Sequence, residues 1–425
     1  MVPKAAQLVE LAAVFLKLGC ISFGGPVAHL GYFHEELVRR RGWVDEAHYS
    51  DLVALCNFLP GPASSQLVFA IGMERAGLAG ALTASLAFLL PSAGLMILCG
   101  YGFSLLGDPA TAGWLHGLKI AAAAVVAQAV GNMARRLCPD FPRVVLALAA
   151  AGFVCAVPGA YAQIGVLAAG MILSIVSSFG FRVLSSMPDE NSSLKIKIAE
   201  PEFLQENRTN PDSRLETRNT KLKTSHYWAA GALGIYLLLL VLLPALATGS
   251  GARSFKVFAS FYRAGALVFG GGHVVLPLLR AEVVPPGWIG DGPFLAGYGA
   301  AQALPGPLFS FAAYLGTVIF AGPRAWLGGV MCLLAIYLPA WLVIGGALPF
   351  WQALRGQSWA QAALRGANAA VVGILLAALN NPIGVEAIGS WGDLAAALVA
   401  LLLLEKLRVP PWAVVLAAAA LGGVI

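Results

Sequence analysis

Phe23-Gly24-Gly25 and Leu59-Pro60-Gly61-Pro62 return later in the chain as Phe269-Gly270-Gly271 and Leu304-Pro305-Gly306-Pro307. Between the motifs Glu36 falls opposite Glu282 and Trp43 opposite Trp288, and six residues before each Phe-Gly-Gly stands a cation, Lys17 or Arg263. Downstream, Gly80 and Pro91 match Gly328 and Pro339 at a slightly wider offset. A repeat this long in so apolar a chain points to a duplicated membrane transporter with its site between the halves.

Composition sets the solvent. With 59% hydrophobic residues, 11% charged residues and a mean hydropathy of +0.78, the chain is not an ordinary water-soluble protein. No β-barrel alternation is visible, so the expected fold class is all-α and polytopic, with broken or re-entrant helices. The first apolar run, Ala5 to Phe23, lacks a basic leading region and continues into the repeat, so no cleavable signal is expected. The six cysteines are scattered singly and none forms a Cys-x-x-Cys pair. Neither a disulfide framework nor a metal site is indicated, and no cofactor is expected.

Apolar runs read as helices at 5–24, 48–72, 77–106, 112–134, 143–157 and 160–180, then 227–247, then 256–278, 293–320, 325–349, 359–380, 393–408 and 410–425. The pattern is six, one and six, about 13 spans in all. Pro158 and Pro410-Pro411 interrupt the shortest runs of each half, a sign of bent hairpins. The organisation is therefore a first membrane repeat at 1–180, a polar disordered cytoplasmic linker at 181–226, an extra transmembrane helix at 227–248 and a second repeat at 249–425. The linker carries eight Lys and Arg beside seven acidic residues. So nearly balanced a segment, without aromatic interleaving, is a poor nucleic-acid surface, and no nucleic-acid partner is expected.

The single extra helix matters for topology. Six spans return the chain to its starting side and a seventh leaves it on the other, so the second repeat is expected upside down, as in many secondary transporters. With the N-terminus inside, the linker, Arg75, Arg135, Arg136, Arg143, Lys406 and Arg408 fall on the cytoplasmic side. Arg39-Arg40-Arg41 would lie outside, unless the segment after Gly25 folds back.

The motifs suit an anion. Two prolines and a glycine inside an apolar run break a helix, and Pro62 and Pro307 are placed to open half-helices whose N-termini carry partial positive charge. Ser64, Ser65 and Gln66 follow the first break and Ser310 the second, adding donors to a ready anion site. Gly24 and Gly25, and Gly270, Gly271 and Gly272, mark a second pair of breaks. Simple kinks or close helix contacts would explain the same residues. Lys17 and Arg263 within apolar runs either serve a shared site or pair internally, Lys17 with Glu10 seven residues earlier on the same helix face. Lys119, aligned with Asn368 and near Arg365, is a further intramembrane cation. Glu36 and Glu282 read as proton carriers or as partners of basic neighbours such as Arg40 or Arg280. His29 and His273 flank the glycine motifs without aligning, and read as packing residues or proton relays.

The runs Phe23–Leu30, Arg40–Trp43 and Leu59–Gln66 resemble the first-half signature of the chromate ion transporter family, and Phe269–Pro277 with Gly297–Ser310 its second-half signature. Ser310 stands where many relatives carry threonine, which keeps a hydroxyl, and the linker is longer than usual. The resemblance implies a duplicated bacterial inner-membrane exporter of chromate, with sulfate as a close analogue and a homodimer as a conceivable assembly. It also implies use of the proton motive force, with Glu10, Glu36 and Glu282 as the acids to examine. The competing class, a membrane enzyme acting on a lipid phosphate, lacks a metal-ligand cluster, a nucleophile–base pairing or paired carboxylates.

Overall fold

A computed structural model describes residues 4–105, 113–157, 159–185 and 226–422; Pro158 and the linker from 186 to 225 lie outside the described residues. Every regular element among the described residues is helical.

The first half opens with two helical hairpins. Helix α1 (Lys4–Ile21) runs to the Phe-Gly-Gly motif, and α2 (Gly25–Phe33), continued by a π-helical stretch His34–Arg40, runs back beside it. Lys17 meets Glu36 at 3.1 Å, Arg41 meets Glu10 at 3.1 Å, and the Phe15 and Phe33 rings pack edge-on 6.5 Å apart. Contacts between the start of one helix and the end of the next require the chain to reverse at the motif. The same holds for α3 (Glu46–Phe58) and the first limb of α4 (Ala63–Leu105). The imidazole of His48 lies 2.8 Å from Glu74, so Leu-Pro-Gly-Pro is the tip of a second hairpin. Within α4 the backbone leaves helical geometry at Ala76 (φ −142°) and Gly77 (φ 66°). A Cβ on Gly72 would lie 2.6 Å from the Gly80 carbonyl, whereas eight residues of unbroken helix would separate them by about 12 Å. The chain therefore reverses again, and the second limb, 78–105, is a through-running helix of roughly 40 Å.

The second half repeats this plan with α9 (Arg253–Ala266), α10 (Val275–Val283), α11 (Asp291–Ala303), α12 (Phe311–Ile319) and α13 (Ala325–Ala347). Arg263 closes on Glu282 across the first hairpin, and the Tyr314 hydroxyl donates to the Pro293 carbonyl at 3.0 Å across the second. Close packing is copied too: a Cβ on Gly19 would sit 2.5 Å from the Phe88 carbonyl, and one on Gly265 would sit 2.2 Å from that of Ile336. Each first helix therefore lies flush against the long helix of its own half.

The two halves are inverted. The far end of α4 reaches the α12–α13 reversal, where the Tyr101 hydroxyl donates to Pro323 O and accepts from Trp326 N, both at 3.1 Å. The far end of α13, at Leu342 and Gly345, shares a cavity with Trp43 and Arg75 at the entrance of the first-half hairpins. The long helices of the two halves are antiparallel, and the hairpins enter from opposite ends. Helix α8 (His226–Gly249) makes this possible. Tyr227 and Trp228 line the cavity at the first-half entrance, while Pro244 and Thr248 line one at the second-half entrance. Its Leu237, Leu238 and Val241 are exposed, as suits a helix facing lipid.

Flanking helices α5 (Gly113–Leu137), α6 (Phe141–Ala156) and α7 (Ala160–Ser185) and their counterparts α14 (Ser358–Ala378), α15 (Trp391–Glu405) and α16 (Pro411–Leu421) interlock across the halves. A Cβ on Gly366 of α14 would be 2.0 Å from Gly170 O of α7, and one on Gly117 of α5 would be 1.9 Å from Ala418 O of α16. Among the described residues, six helices are long and apolar enough to cross a membrane. The run expected at 48–72 divides at its Pro-Gly-Pro, and the run at 5–24 gains the returning helix α2. This fold-back keeps Arg39-Arg40-Arg41 at the end where α1 begins.

Candidate functional site

The four motif tips meet in two reciprocal pairs. Gly61 N donates to Val268 O at 2.7 Å, and Gly306 N donates to Ser22 O at 2.8 Å. Each Pro-Gly-Pro loop is thereby bonded to the residue just before the Phe-Gly-Gly of the other half. Gly61 and Gly306 have φ of 120° and 101°, values that side chains disfavour. There is also no room for one: a Cβ on Gly61 would meet Ala340 at 3.0 Å and one on Gly306 would meet Ser92 at 2.7 Å. The first turn of the following helix braces each loop. Gln66 Nε2 donates to Pro60 O at 2.7 Å, and Ser310 Oγ donates to Pro307 O at 2.6 Å.

Around the tips lie buried polar atoms that find no hydrogen-bond partner among the described residues: Ser22 Oγ, Ser65 Oγ, Gln66 Oε1 and Asn368 Oδ1. Ser64 approaches His29 at 3.4 Å, and His273 bonds the Tyr298 hydroxyl at 2.8 Å. Asn368 faces the glycine motif of its own half, 3.2 Å from where a Cβ of Gly270 would stand. Ser22 escaped the sequence reading. Its signal was slight, a lone hydroxyl directly before Phe-Gly-Gly where the second copy has Val268.

The paired cations do not meet each other. Lys17 binds Glu36, which also receives Arg41 at 2.9 Å and Arg40 at 3.4 Å; Arg263 holds Glu282 through both carboxylate oxygens. Each pair ties the two helices of its own hairpin, six residues or about 9 Å of helix from its motif. The alternative partner for Lys17, Glu10, does not pair with it. Seven residues along a helix separate two side chains by about 10 Å, and Glu10 instead takes Arg41 at 3.1 Å and Arg75 at 3.8 Å. Nor does Glu282 take Arg280, which holds Asp291 at 2.5 Å. Lys119 is likewise away from the tips, at the start of α11 beside Gly292. Among the described residues no group of three or more His, Cys, Asp or Glu is placed to hold a metal ion.

Two cavities flank the seam, one at each hairpin entrance. The first, of about 1560 Å³, includes Trp43, His48, Glu74 and Arg75 in its wall. The second, of about 950 Å³, includes Trp288, Lys256, Arg263 and Glu282. The repeat-matched tryptophans mark them as counterparts on opposite faces, and the motif tips lie in the wall of neither.

A family model described as Chromate transporter matches residues 9–175 and again 255–423, one copy per half. A probable chromate transport protein of Synechococcus elongatus is 25% identical over 82% of this chain and 77% of its own length. The chromate transport protein of Pseudomonas aeruginosa is 28% identical over 80% of this chain and 72% of its own. That of Cupriavidus metallidurans is 25% identical over 98% and 93%. No solved structure matches the chain.

Proposed function

The chain belongs to the chromate transporter family, and from that premise we propose that it exports chromate by alternating access, with the oxyanion passing between the four motif tips. The observation that carries the reading is the reciprocal pair of bonds, Gly61 to Val268 and Gly306 to Ser22. They bring the N-termini of α4 and of the turn before α12 to a seam between inverted halves, where helix N-termini favour an anion. Ser22 and Ser65 supply buried hydroxyls that have no hydrogen-bond partner among the described residues and can donate to it.

The entrance beside Arg39, Arg40, Arg41 and Arg75 is taken as cytoplasmic. Gln7 of α1 and Tyr227 of α8 also stand in that cavity wall, so α1 and α8 both begin at this end. A membrane negative inside supplies about 2.3 kcal/mol per elementary charge per 100 mV, so a departing dianion gains roughly twice that. Export is thus favourable without an obligatory proton. If protons are coupled, Glu36 and Glu282, the acids that close the two hairpins on Lys17 and Arg263, are the ones to test.

Energised everted vesicles carrying the protein are expected to accumulate chromate above empty vesicles, and Gly306→Leu to abolish the difference. Vesicles indistinguishable from empty ones would refute the reading. Sulfate is the second cargo to test, since it shares the tetrahedral dianion; excess sulfate is then expected to slow chromate accumulation.

A further inference from the structure

The two hairpin frames are copies, but one charge is reversed between them. Glu10 of α1 and Lys256 of α9 occupy the same repeat position. Glu10 is consumed by Arg41 and Arg75. In register with Trp43 and Trp288, the positions of Arg40 and Arg41 are held in the second half by Pro285 and Pro286, so that no matching cations face Lys256. Along α9, Lys256, Ser260 and Arg263 stand at i, i+4 and i+7, one stripe of a helix, where α1 has Glu10, Val14 and Lys17. That stripe lines the 950 Å³ chamber, opposite Tyr161, Asn380 and Asn381.

The chamber's charges do not cancel. Glu282 holds Arg263, and Asp291 holds Arg280. Lys256 has no ion-pair partner among the described residues. We propose that this chamber is a second oxyanion subsite, outside the seam, in which Lys256 supplies the charge and Ser260, Asn380, Asn381 and Tyr161 supply donors. It rests on the reading of the chain as an oxyanion carrier. At the other entrance the same repeat position carries Glu10, which two arginines hold, so this unpaired cation belongs to the second half.

Cys155 lies in the chamber wall and is exposed, which provides a native reporter. The experiment uses the full chain in lipid nanodiscs with Cys20 and Cys99 replaced by serine, and follows labelling of Cys155 by a small charged thiol reagent. Sulfate, which does not oxidise thiols, is the probe, against chloride at equal ionic strength. Sulfate is expected to slow labelling several-fold more than chloride, and the protection is expected to disappear in Lys256→Gln and to weaken in Ser260→Ala. Equal slowing by both salts, or undiminished protection in Lys256→Gln, would overturn the subsite. Because labelling needs no transport, a chain that fails to move chromate but shows this protection would refute the transport reading and leave the subsite standing.

Discussion

Gly306 of the second half bonds Ser22 of the first through its amide, 2.8 Å from the serine carbonyl, with a φ of 101° and the Ser92 side chain against its Cα. Gly306→Ala is therefore expected to cost about 1–3 kcal/mol of stability through backbone strain. It should also lower chromate accumulation about tenfold or more, since a tenfold change corresponds to only about 1.4 kcal/mol. Ser92→Gly removes the obstructing side chain, so the double variant should regain part of the loss. Vesicle transport and thermal unfolding of the purified protein check both points.

The two ion pairs predict unequal mutants. Arg263→Ala strands Glu282, whose side chain is only 4% exposed, and removing one partner of a buried pair costs about 3–5 kcal/mol. Lys17→Ala leaves Glu36 still bound by Arg40 and Arg41, and the lost lysine was half exposed, so a much smaller loss is expected. Thermal unfolding of the two variants side by side decides it; equal losses would count against the assigned partners.

How far these pairs were legible in the sequence is instructive. The matching of Lys17 with Arg263 and of Glu36 with Glu282 was visible, but not the bond between them. Each pair spans 19 residues with a glycine turn between, and apolar content cannot distinguish a helix that crosses from one that stops and returns. Glu10 was open as a partner of Lys17 because both share a helix face, but a shared face does not remove their axial separation. The halves' inversion was readable from the lone extra helix. The reciprocal tip bonds were not, since a backbone amide leaves no trace in residue type.

Inversion predicts accessibility. Arg39 and Arg324 are exposed and stand at opposite entrances. With native exposed cysteines removed, Arg39→Cys is expected to react with an impermeant thiol reagent in everted vesicles and Arg324→Cys in intact cells. Labelling of both from the same side would contradict antiparallel halves.

Ser22 separates function from stability. Its hydroxyl is fully buried and has no partner among the described residues, so Ser22→Ala removes none of the hydrogen bonds seen there and should shift stability by less than about 1 kcal/mol. If the hydroxyl serves the passing anion, KM for chromate should rise several-fold while the unfolding temperature stays put. Transport kinetics with the melting curve as control measure this.

Helix α8 has a consequence for how such a molecule is inherited. A protein made of one half alone would need two copies inserted in opposite directions, in balanced amounts, before a Pro-Gly-Pro loop could find its Phe-Gly-Gly partner. One 24-residue crossing removes that requirement. Orientation becomes a property of the chain, the copies are present one to one by construction, and each is free to acquire its own charges. Glu10 and Lys256 are a difference that two identical subunits could never carry.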